Sequence, residues 1–265
     1  MPSPWVSVIM PVYNTSKYLG DAIQSILQQS FRNFEFIIIN DGSTDDSENV
    51  VLSFNDPRIR YFKNEENKGL VHTLNKGLDL AEAEWIARMD GDDISSPDRF
   101  EKQWSFLNEH PTVEMLATTV TLINEDGKLT GQWKDDISAI STSEITERLP
   151  LNNCIAHPTI FIKTSLLKKF RYNPDQFMSE DYDLWLRMAA DGVQIHKLNE
   201  PLVKHRILSS SFTRSGKLNV FQKLAKVKYE FATNAMKQGK GNAFVYKTLL
   251  YSRIDALKGW LKQDR

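Results

Sequence analysis

Three carboxylates lie within four residues of this 265-residue chain, at Asp90, Asp92 and Asp93, with Gly91 between the first two. They follow a short apolar run and so stand where a strand is expected to end. Like charges at this spacing repel one another unless a cation or solvent compensates them. Mg²⁺ and Mn²⁺ prefer oxygen ligands and often share them with substrate phosphates. The segment predicts a divalent-metal site that also binds a diphosphate, or alternatively a solvated acidic turn that caps the helix after Pro97.

Two further polar clusters carry groups that suit a nucleobase. Pro11, Val12, Tyr13 and Asn14 combine a residue without an N–H, an aromatic ring and an amide, which can form a shelf and hydrogen bonds for a base. Asp41 follows three isoleucines and can accept the N–H of a uracil or thymine ring. The first cluster also fits an ordinary turn, and Asp41 also fits a helix cap, so the residues alone leave both interpretations open.

The elements that must position these clusters alternate along the first hundred residues. Strand-like runs at 6–10, 34–39, 59–62 and 85–89 are separated by amphipathic helical patterns, which indicates parallel strands joined by crossover helices. In open α/β sheets, ligands bind outside the carboxyl ends of the strands. The three polar clusters all follow such strands, so we expect them at one edge of the sheet.

The rest of the chain has a mixed pattern that becomes helical after Gly216. The predicted elements are a β-rich stretch at 113–123 that leads into a hairpin at 124–127, a strand at 157–162, a helix at 180–190 and short strands at 193–198 and 202–206. Two apolar helical stripes follow, one through Phe221, Leu224, Val227 and Phe231 and one through Leu250, Ile254, Leu257 and Leu261.

Charge is distributed unevenly along the chain. From Lys217 to Arg265, 11 basic residues face 3 acidic ones, so this stretch carries +8 and residues 1–216 carry −9. No nucleic-acid-binding motif accompanies the basic residues, and nucleic acid is not expected as a partner. An anionic membrane surface fits the stretch better. Packing on the preceding domain or on a second copy, as a homodimer, is the alternative.

The sequence argues against several cellular compartments and enzyme classes. The single cysteine, Cys154, cannot form an internal disulfide, and the chain has no signal-peptide pattern and no apolar run of membrane-spanning length. We therefore expect a cytoplasmic protein that can associate with the inner face of the membrane. Neither a GxGxxG nor a GxxxxGK[ST] pattern occurs, which argues against a dehydrogenase and a P-loop ATPase. A nucleotidyltransferase would need a glycine-rich basic loop after the first strand. This chain instead has Val12-Tyr13-Asn14-Thr15-Ser16 there, with no glycine and no basic residue.

Five blocks, in order, resemble the family 2 glycosyltransferases of the GT-A fold. They are 6–14, 38–45, 67–69 with 75–77, 86–93 and 179–187. The resemblance extends from Trp5 to Arg206. It implies an α/β fold of GT-A type, with a Rossmann-like, mostly parallel central sheet flanked by helices and a helical C-terminal extension. The catalytic domain would be 1–216, with a nucleotide-binding half at 1–110 and an acceptor-binding half at 111–216, and the basic amphipathic extension would be 217–265.

The same resemblance implies roles on the donor side. Asp90 would lie near the ribose, Asp92 would reach the metal, either Mn²⁺ or Mg²⁺, and Arg88 would lie near the nucleotide. The nucleotide-binding residues implied by the matching blocks are Pro11, Val12, Tyr13, Asn14, Asp41, Asn67, Arg88, Asp90 and Gly91.

The fifth block implies that Asp181, directly after Glu180, is the catalytic base. An acceptor hydroxyl must lose its proton as it attacks the anomeric carbon, and a carboxylate can take that proton. A metal would meet the growing charge of the leaving nucleoside diphosphate, and one in-line displacement would invert the anomeric centre. The alternative is that the two acidic residues simply begin a helix at its positive end.

Four residues are implied less directly as acceptor or phosphate contacts, namely His157, Glu180, His205 and Arg206. His157 falls where the family often has a histidine before the next strand, so it either borders the acceptor pocket with Glu180 or is only hydrogen-bonded. At 205–208 the chain departs from the frequent pattern Arg-x-His, because Leu208 occupies the position of the second basic residue. Arg206 is carried over as a phosphate contact, with His205 as a substitute for the missing one.

The resemblance thus implies an inverting hexosyltransferase. UDP-sugar is the favoured donor because Asp41 suits an imide N–H, although dTDP offers the same group. The acceptor would be a hydroxyl of a glycan or lipid-linked saccharide, in bacterial surface polysaccharide or lipooligosaccharide synthesis. The alternative is a catalytically inactive sugar-nucleotide-binding or assembly subunit, against which the intact Asp92 and Asp181 argue.

Overall fold

A computed structural model describes residues 3–176, 179–208 and 220–261, and its strands follow the predicted alternation. The strands are β1 (Val6–Val12), β2 (Phe34–Asn40), β3 (Ile59–Lys63), β4 (Trp85–Arg88), β5 (Ile94–Ser95), β6 (Met115–Ile123), β7 (Leu129–Gln132), β8 (Phe161–Lys163) and β9 (Ile195–Arg206). The helices are α1 (Ser16–Leu27), α2 (Ser47–Leu52), α3 (Leu70–Leu80), α4 (Arg99–Glu109), α5 (Lys134–Ile137), α6 (Thr142–Arg148), α7 (Thr164–Phe170), α8 (Glu180–Ala190), α9 (Val220–Lys237) and α10 (Ala243–Leu261).

The strands form one sheet in the order β3-β2-β1-β4-β8-β6-β9-β5, with β7 paired to β6. Pairing is parallel from β3 through β4 and again between β6 and β9, and it is antiparallel elsewhere. The sheet is therefore parallel in its N-terminal half and mixed in the second half. Because crossover helices connect the parallel strands, helices cover both faces of this half.

Alternate residues of the central strands contribute to two hydrophobic cores. Ile9, Ile37 and Ile39 pack on one face with α3, α7 and α8. Val8 and Phe36 pack on the other face with α1 and α4. A strand that is buried on both faces is largely apolar, and every residue of β2 is buried. Its two polar residues, Glu35 and Asn40, lie near its ends.

The structure corrects three predicted boundaries. β1 does not end at Pro11 but continues to Val12. Proline is tolerated there because β4 pairs with β1 only as far as Ile9, so no ladder bond is lost. The predicted strand at 157–162 is a short 3₁₀ turn, His157–Thr159, followed by β8, since Pro158 lacks an N–H. The two short strands predicted at 193–198 and 202–206 are the single strand β9, whose pairing register to β6 shifts opposite Thr118 and Thr119.

The C-terminal helices pack against the α/β domain, and α9 shares the core of that domain. Val227 and Phe231 of α9 belong to the same buried cluster as the sheet. Lys228 of α9 pairs with Asp255 of α10 at 2.6 Å and also donates to the backbone carbonyl of Leu151, 2.5 Å away. The first predicted stripe is therefore a packing face. The ends of the predicted extension, 217–219 and 262–265, and the predicted boundary at 216 lie outside the described residues.

The second predicted stripe is largely exposed instead, with only Ile254 of its four residues partly buried. Leu250, Leu257 and Leu261 of α10 are each more than half exposed, as are Tyr246 and Trp260. The fully buried residues of α10 are small or polar, namely Val245, Thr248, Ser252, Asp255 and Gly259, while the partly buried Phe244 meets Phe231 of α9 edge to face. Across the described residues, we find no helix whose length and apolarity would let it cross a membrane.

Candidate active site

A cleft of about 1180 Å³ opens at the carboxyl ends of β1, β2 and β4. Nine of the residues implied by the sequence line it, namely Pro11, Val12, Tyr13, Asp41, Asn67, Asp90, Gly91, Asp92 and Glu180. Five others lie outside its lining, namely Asn14, Arg88, His157, His205 and Arg206, and so does Asp181, which is next to Glu180. The prediction that the polar clusters after the strands lie at one edge of the sheet is confirmed.

One end of the cleft is built around Asp41, which is buried. Its Oδ1 accepts hydrogen bonds from Asn64 Nδ2 at 2.7 Å and from the backbone N–H of Lys68 at 3.0 Å, and its Oδ2 accepts one from the N–H of Gly69 at 2.9 Å. Gly69 is the N-cap of α3, so Asp41 holds the loop that leads into this helix. Oδ2 retains capacity for one more donor from a ligand in the cleft.

The preceding turn is fixed by a local glycine and by Asn14. Gly42 has a φ of 68°, and a Cβ there would lie 2.5 Å from the carbonyl carbon of Glu66, so only glycine fits. Asn14 also has a positive φ, and its Oδ1 accepts the N–H of Thr44 at 2.8 Å. Asn14 therefore joins the loops after β1 and β2, while the half-exposed ring of Tyr13 faces the cleft.

The acidic segment contributes Asp90, Gly91 and Asp92 to the lining of the cleft. Burial first, and then the charges of Asp93 and Asp90, raise the pKa of Asp92 to about 7. His205 and Arg88 are the cations that oppose this effect, and they do not cancel it. No hydrogen bond from the described residues reaches the Asp92 carboxylate. Such a carboxylate, in a site rich in negative charge, fits a divalent cation with oxygen ligands.

Asp93 has a different environment from its neighbours because it is fully buried. It accepts hydrogen bonds from the backbone N–H of Arg206 at 2.7 Å and from His205 Nδ1 at 3.0 Å. The charge of Asp93 raises the pKa of His205 to about 9. Ligand atoms of Asp90, Asp93 and His205 lie within 4.8 Å of one another, a second grouping that can hold a cation. The sequence analysis included Asp93 in the acidic segment but gave it no role of its own, and β9 reaches it through its pairing with β5.

Arg206 binds carbonyl groups rather than facing the cleft. Its Nε donates to the backbone carbonyl of Asp92 at 2.8 Å, and another guanidinium nitrogen donates to the carbonyls of Asn124 and Glu125. The guanidinium lies over the ring of Tyr18, 4.4 Å from its centre. Arg206 thus fixes the backbone at the acidic segment.

Arg88 supplies a buried positive charge between the acidic segment and the start of α8. Its guanidinium pairs with the Asp90 carboxylate. Its charge also lowers the pKa values of Glu180, Asp181 and His157, although burial has a larger effect on each of the three. A single buried cation therefore acts on both groups of carboxylates.

Glu180 and Asp181 form the first turn of α8. Burial, followed by the charge of Asp181, raises the pKa of Glu180 to about 7. Burial also raises the pKa of Asp181, while hydrogen bonds from the N–H of Tyr182 and from Asn153 Nδ2, at 2.7 and 2.9 Å, oppose this rise. The arrangement can accept a proton from a group bound in the cleft.

His157 is a buried, hydrogen-bonded histidine. Its Nε2 lies 2.8 Å from the Tyr172 hydroxyl, and its ring meets that of Trp185 edge to face. Burial, followed by the charge of Arg88, lowers its pKa well below the ordinary value, so the ring is neutral. The sequence analysis also missed Lys223 of α9 and Gln176, which line the cleft. No local motif distinguishes either residue.

This chain is similar in sequence to known glycosyltransferases. The family model described as "Glycosyl transferase family 2" matches residues 7–170. A glycosyltransferase of Methanocaldococcus jannaschii is 31% identical over 261 residues, covering 96% of this chain and 88% of the relative. The O-antigen biosynthesis glycosyltransferase WbnJ of Escherichia coli is 35% identical over 215 residues, covering 79% of this chain and 82% of the relative.

Solved structures share the fold. S. aureus TarS 1-349 in complex with UDP-GlcNAc superposes with a TM-score of 0.73 at 20% identity, covering 92% of this chain and 70% of that structure. The mannosyltransferase PcManGT from Pyrobaculum calidifontis, in complex with GDP-Man and Mn²⁺, gives a TM-score of 0.66 at 17% identity, covering 94% of this chain and 69% of that structure. The predicted fold class, GT-A with a C-terminal helical part, is confirmed.

Proposed function

Because this chain belongs to glycosyl transferase family 2, we propose that it transfers a hexose from a nucleoside diphosphate sugar to a hydroxyl of a glycan or lipid-linked acceptor, inverting the anomeric carbon. The observation that carries this proposal is one cleft lined by Asp41, Asp92 and Glu180. The nucleobase of the donor would bind at Asp41 and Tyr13, and its diphosphate would bind beside Asp92. The half of the chain at 1–110 would then hold the donor and the half at 111–216 the acceptor.

The chemistry is a single displacement. The acceptor oxygen attacks the anomeric carbon, the bond from that carbon to the diphosphate oxygen breaks, and the acceptor proton passes to the Asp181 carboxylate. Attack opposite the leaving group inverts the centre. The hydrogen bonds from Asn153 and Tyr182 orient this carboxylate before reaction.

Asp92 is the residue that would hold Mn²⁺ or Mg²⁺, while Asp90, which is paired with Arg88, would lie near the ribose. The Asp92 carboxylate lines the cleft without a hydrogen bond from the described residues, and burial, followed by the charges of Asp93 and Asp90, raises its pKa to about 7. A bound divalent cation would compensate this carboxylate and the departing diphosphate. Asp93 and Arg206 would act indirectly, by fixing the segment and His205.

UDP is the favoured nucleotide because Oδ2 of Asp41 can accept an imide N–H. A thermal-shift panel of UDP, dTDP, GDP, CDP and ADP, each with and without Mn²⁺, tests this. We expect UDP with Mn²⁺ to stabilise the protein most, by about 2.7 kcal/mol at roughly 100 times the dissociation constant. Stabilisation by GDP instead would overturn the choice of base. No response to any diphosphate would support the inactive-subunit alternative.

The acceptor is proposed to be a bacterial surface glycan or its lipid-linked precursor. WbnJ, a relative named for O-antigen biosynthesis, supports this class of acceptor. Such precursors lie in membranes, and the exposed stripe of α10 suits peripheral contact with an anionic inner membrane face. Leu250, Leu257 and Trp260 would enter the interface, and Arg253 and Lys258 would meet anionic headgroups.

Liposome flotation tests the membrane contact. We expect the protein to float with vesicles containing phosphatidylglycerol and not with phosphatidylcholine alone. The double variant Leu257→Ser/Trp260→Ser should lose binding, whereas Leu129→Ser, an equally exposed change on β7, should not. Deletion of 217–265 is unsuitable because α9 shares the core. If the wild-type protein does not bind vesicles and is a dimer in solution, and if the double variant is a monomer, the exposed stripe of α10 would be a homodimer interface instead.

A further inference from the structure

Lys223 brings a positive charge from α9 into the cleft. Its half-buried side chain lines the cleft together with Glu180. Glu180 and Asp181 are the carboxylates whose charges raise its pKa, against a larger lowering by burial. Within the described part of the chain, no hydrogen bond or ion pair holds its ammonium group.

The position of Lys223 is fixed by the packing of α9. Val227 and Phe231, within the next two turns, lie in the core. Lys228 is buried between Asp255 and the carbonyl of Leu151. Glu230 accepts a hydrogen bond at 2.8 Å from Gln176, which also lines the cleft. The lysine is thus presented by a helix anchored to the catalytic domain.

The titratable groups around Asp181 come from several elements. Glu180 is its neighbour on α8, Arg88 comes from β4 and Lys223 comes from α9, and Arg88 lowers the pKa of Asp181 more than Lys223 does. Tyr172, which follows α7, is neutral because burial raises the pKa of its phenol. Arg88 is already paired with Asp90. Among these groups, Lys223 is the cation with no other acidic partner among the described residues.

We propose that Lys223 is a positioning residue for the base, whose ammonium group, presented to the cleft beside Glu180, offsets part of the negative charge of Glu180 and Asp181 and so favours the ionised form of Asp181. This rests on the proposed role of Asp181 as base. Two adjacent carboxylates in a buried site repel each other, and each nearby cation favours the state in which both are ionised. Helix α9 would therefore complete the catalytic site.

The test is the pH dependence of kcat/KM in Lys223→Met. The reaction is followed as UDP release, with UDP-glucose, UDP-galactose or UDP-N-acetylglucosamine as the donor. A lipid-linked glycan fraction from bacterial membranes is the acceptor, and Mn²⁺ is saturating. Loss of the ammonium raises the pKa of the carboxyl pair, so the acid limb moves to higher pH. We expect the ratio of kcat/KM at about pH 9 to that at about pH 6 to rise about tenfold. Lys223→Arg keeps the charge and should retain the wild-type ratio.

Lys226→Met is the matched control. Lys226 is on the same helix with an exposed side chain and lies 3.8 Å from Glu230, so the same loss of charge should leave the ratio unchanged. An unchanged ratio in Lys223→Met, with nucleotide stabilisation retained, would overturn the proposal. If Asp181→Asn is inactive in that case, the proposed function stands and only the role of Lys223 is wrong. If Asp181→Asn is as active as the wild type, both the role of Lys223 and the role of Asp181 as the base are wrong.

Discussion

Asp181→Asn is expected to lower kcat by two to four orders of magnitude, the usual contribution of a general base, roughly 10²–10⁴-fold. The amide has nearly the shape of the carboxylate but cannot accept the proton of the acceptor hydroxyl. The amide oxygen can still accept one of the two hydrogen bonds that Asn153 and the Tyr182 N–H donate to Asp181, so the start of α8 should remain in place. The measurement is UDP release in the presence of donor and acceptor.

A binding measurement separates this loss from misfolding. Asp181→Asn should still be stabilised by UDP and Mn²⁺ to the wild-type extent, since neither Asp41 nor Asp92 is changed. Asp175→Asn, at an exposed acidic residue that precedes α8, is the control for the same chemical change. Wild-type turnover in Asp181→Asn, with intact nucleotide binding, would contradict the assignment of the base.

Asp92→Asn is expected to abolish the part of nucleotide binding that depends on the metal and to lower turnover more than about 100-fold, since metal-ligand and transition-state charge contacts are each worth several kcal/mol. The change removes the carboxylate that faces the cleft without a hydrogen bond from the described residues. UDP should then stabilise the variant equally with and without Mn²⁺. Asp126→Asn, at an exposed carboxylate on the β6–β7 hairpin, should behave like the wild type.

The same carboxylate makes metal affinity depend on pH. Because the pKa of Asp92 without metal is about 7, a proton competes with the cation as the pH falls through this value. Affinity for Mn²⁺ should therefore weaken below about pH 7 and level off above it. Calorimetric titration at several pH values measures this dependence together with the proton released on binding. Equal Mn²⁺ affinity in Asp92→Asn would show that another group, such as that of Asp90, Asp93 and His205, holds the cation.

The sequence alone was sufficient to predict the fold class, the family resemblance and the cleft formed by Asp41, Asp90 and Asp92. These clusters are local, and each directly follows an apolar strand. Because the carboxyl ends of parallel strands meet at one edge of a sheet, local order along the chain determined their proximity in space. Strand β2, for example, is buried on both faces and is apolar between Glu35 and Asn40, so its polar side chains lie near its ends.

Contacts between distant segments could be assigned only from the tertiary structure. His205 reaches Asp93 across 112 residues because β9 pairs with β5, and no local pattern determines that register. Helical periodicity identified the apolar stripe of α10 but not whether another element covers it, and the fully buried residues of this helix are small or polar ones instead. For the same reason the sequence left Lys223 undistinguished among the basic residues of the last stretch, because only the packing of α9 brings it to the cleft beside Glu180.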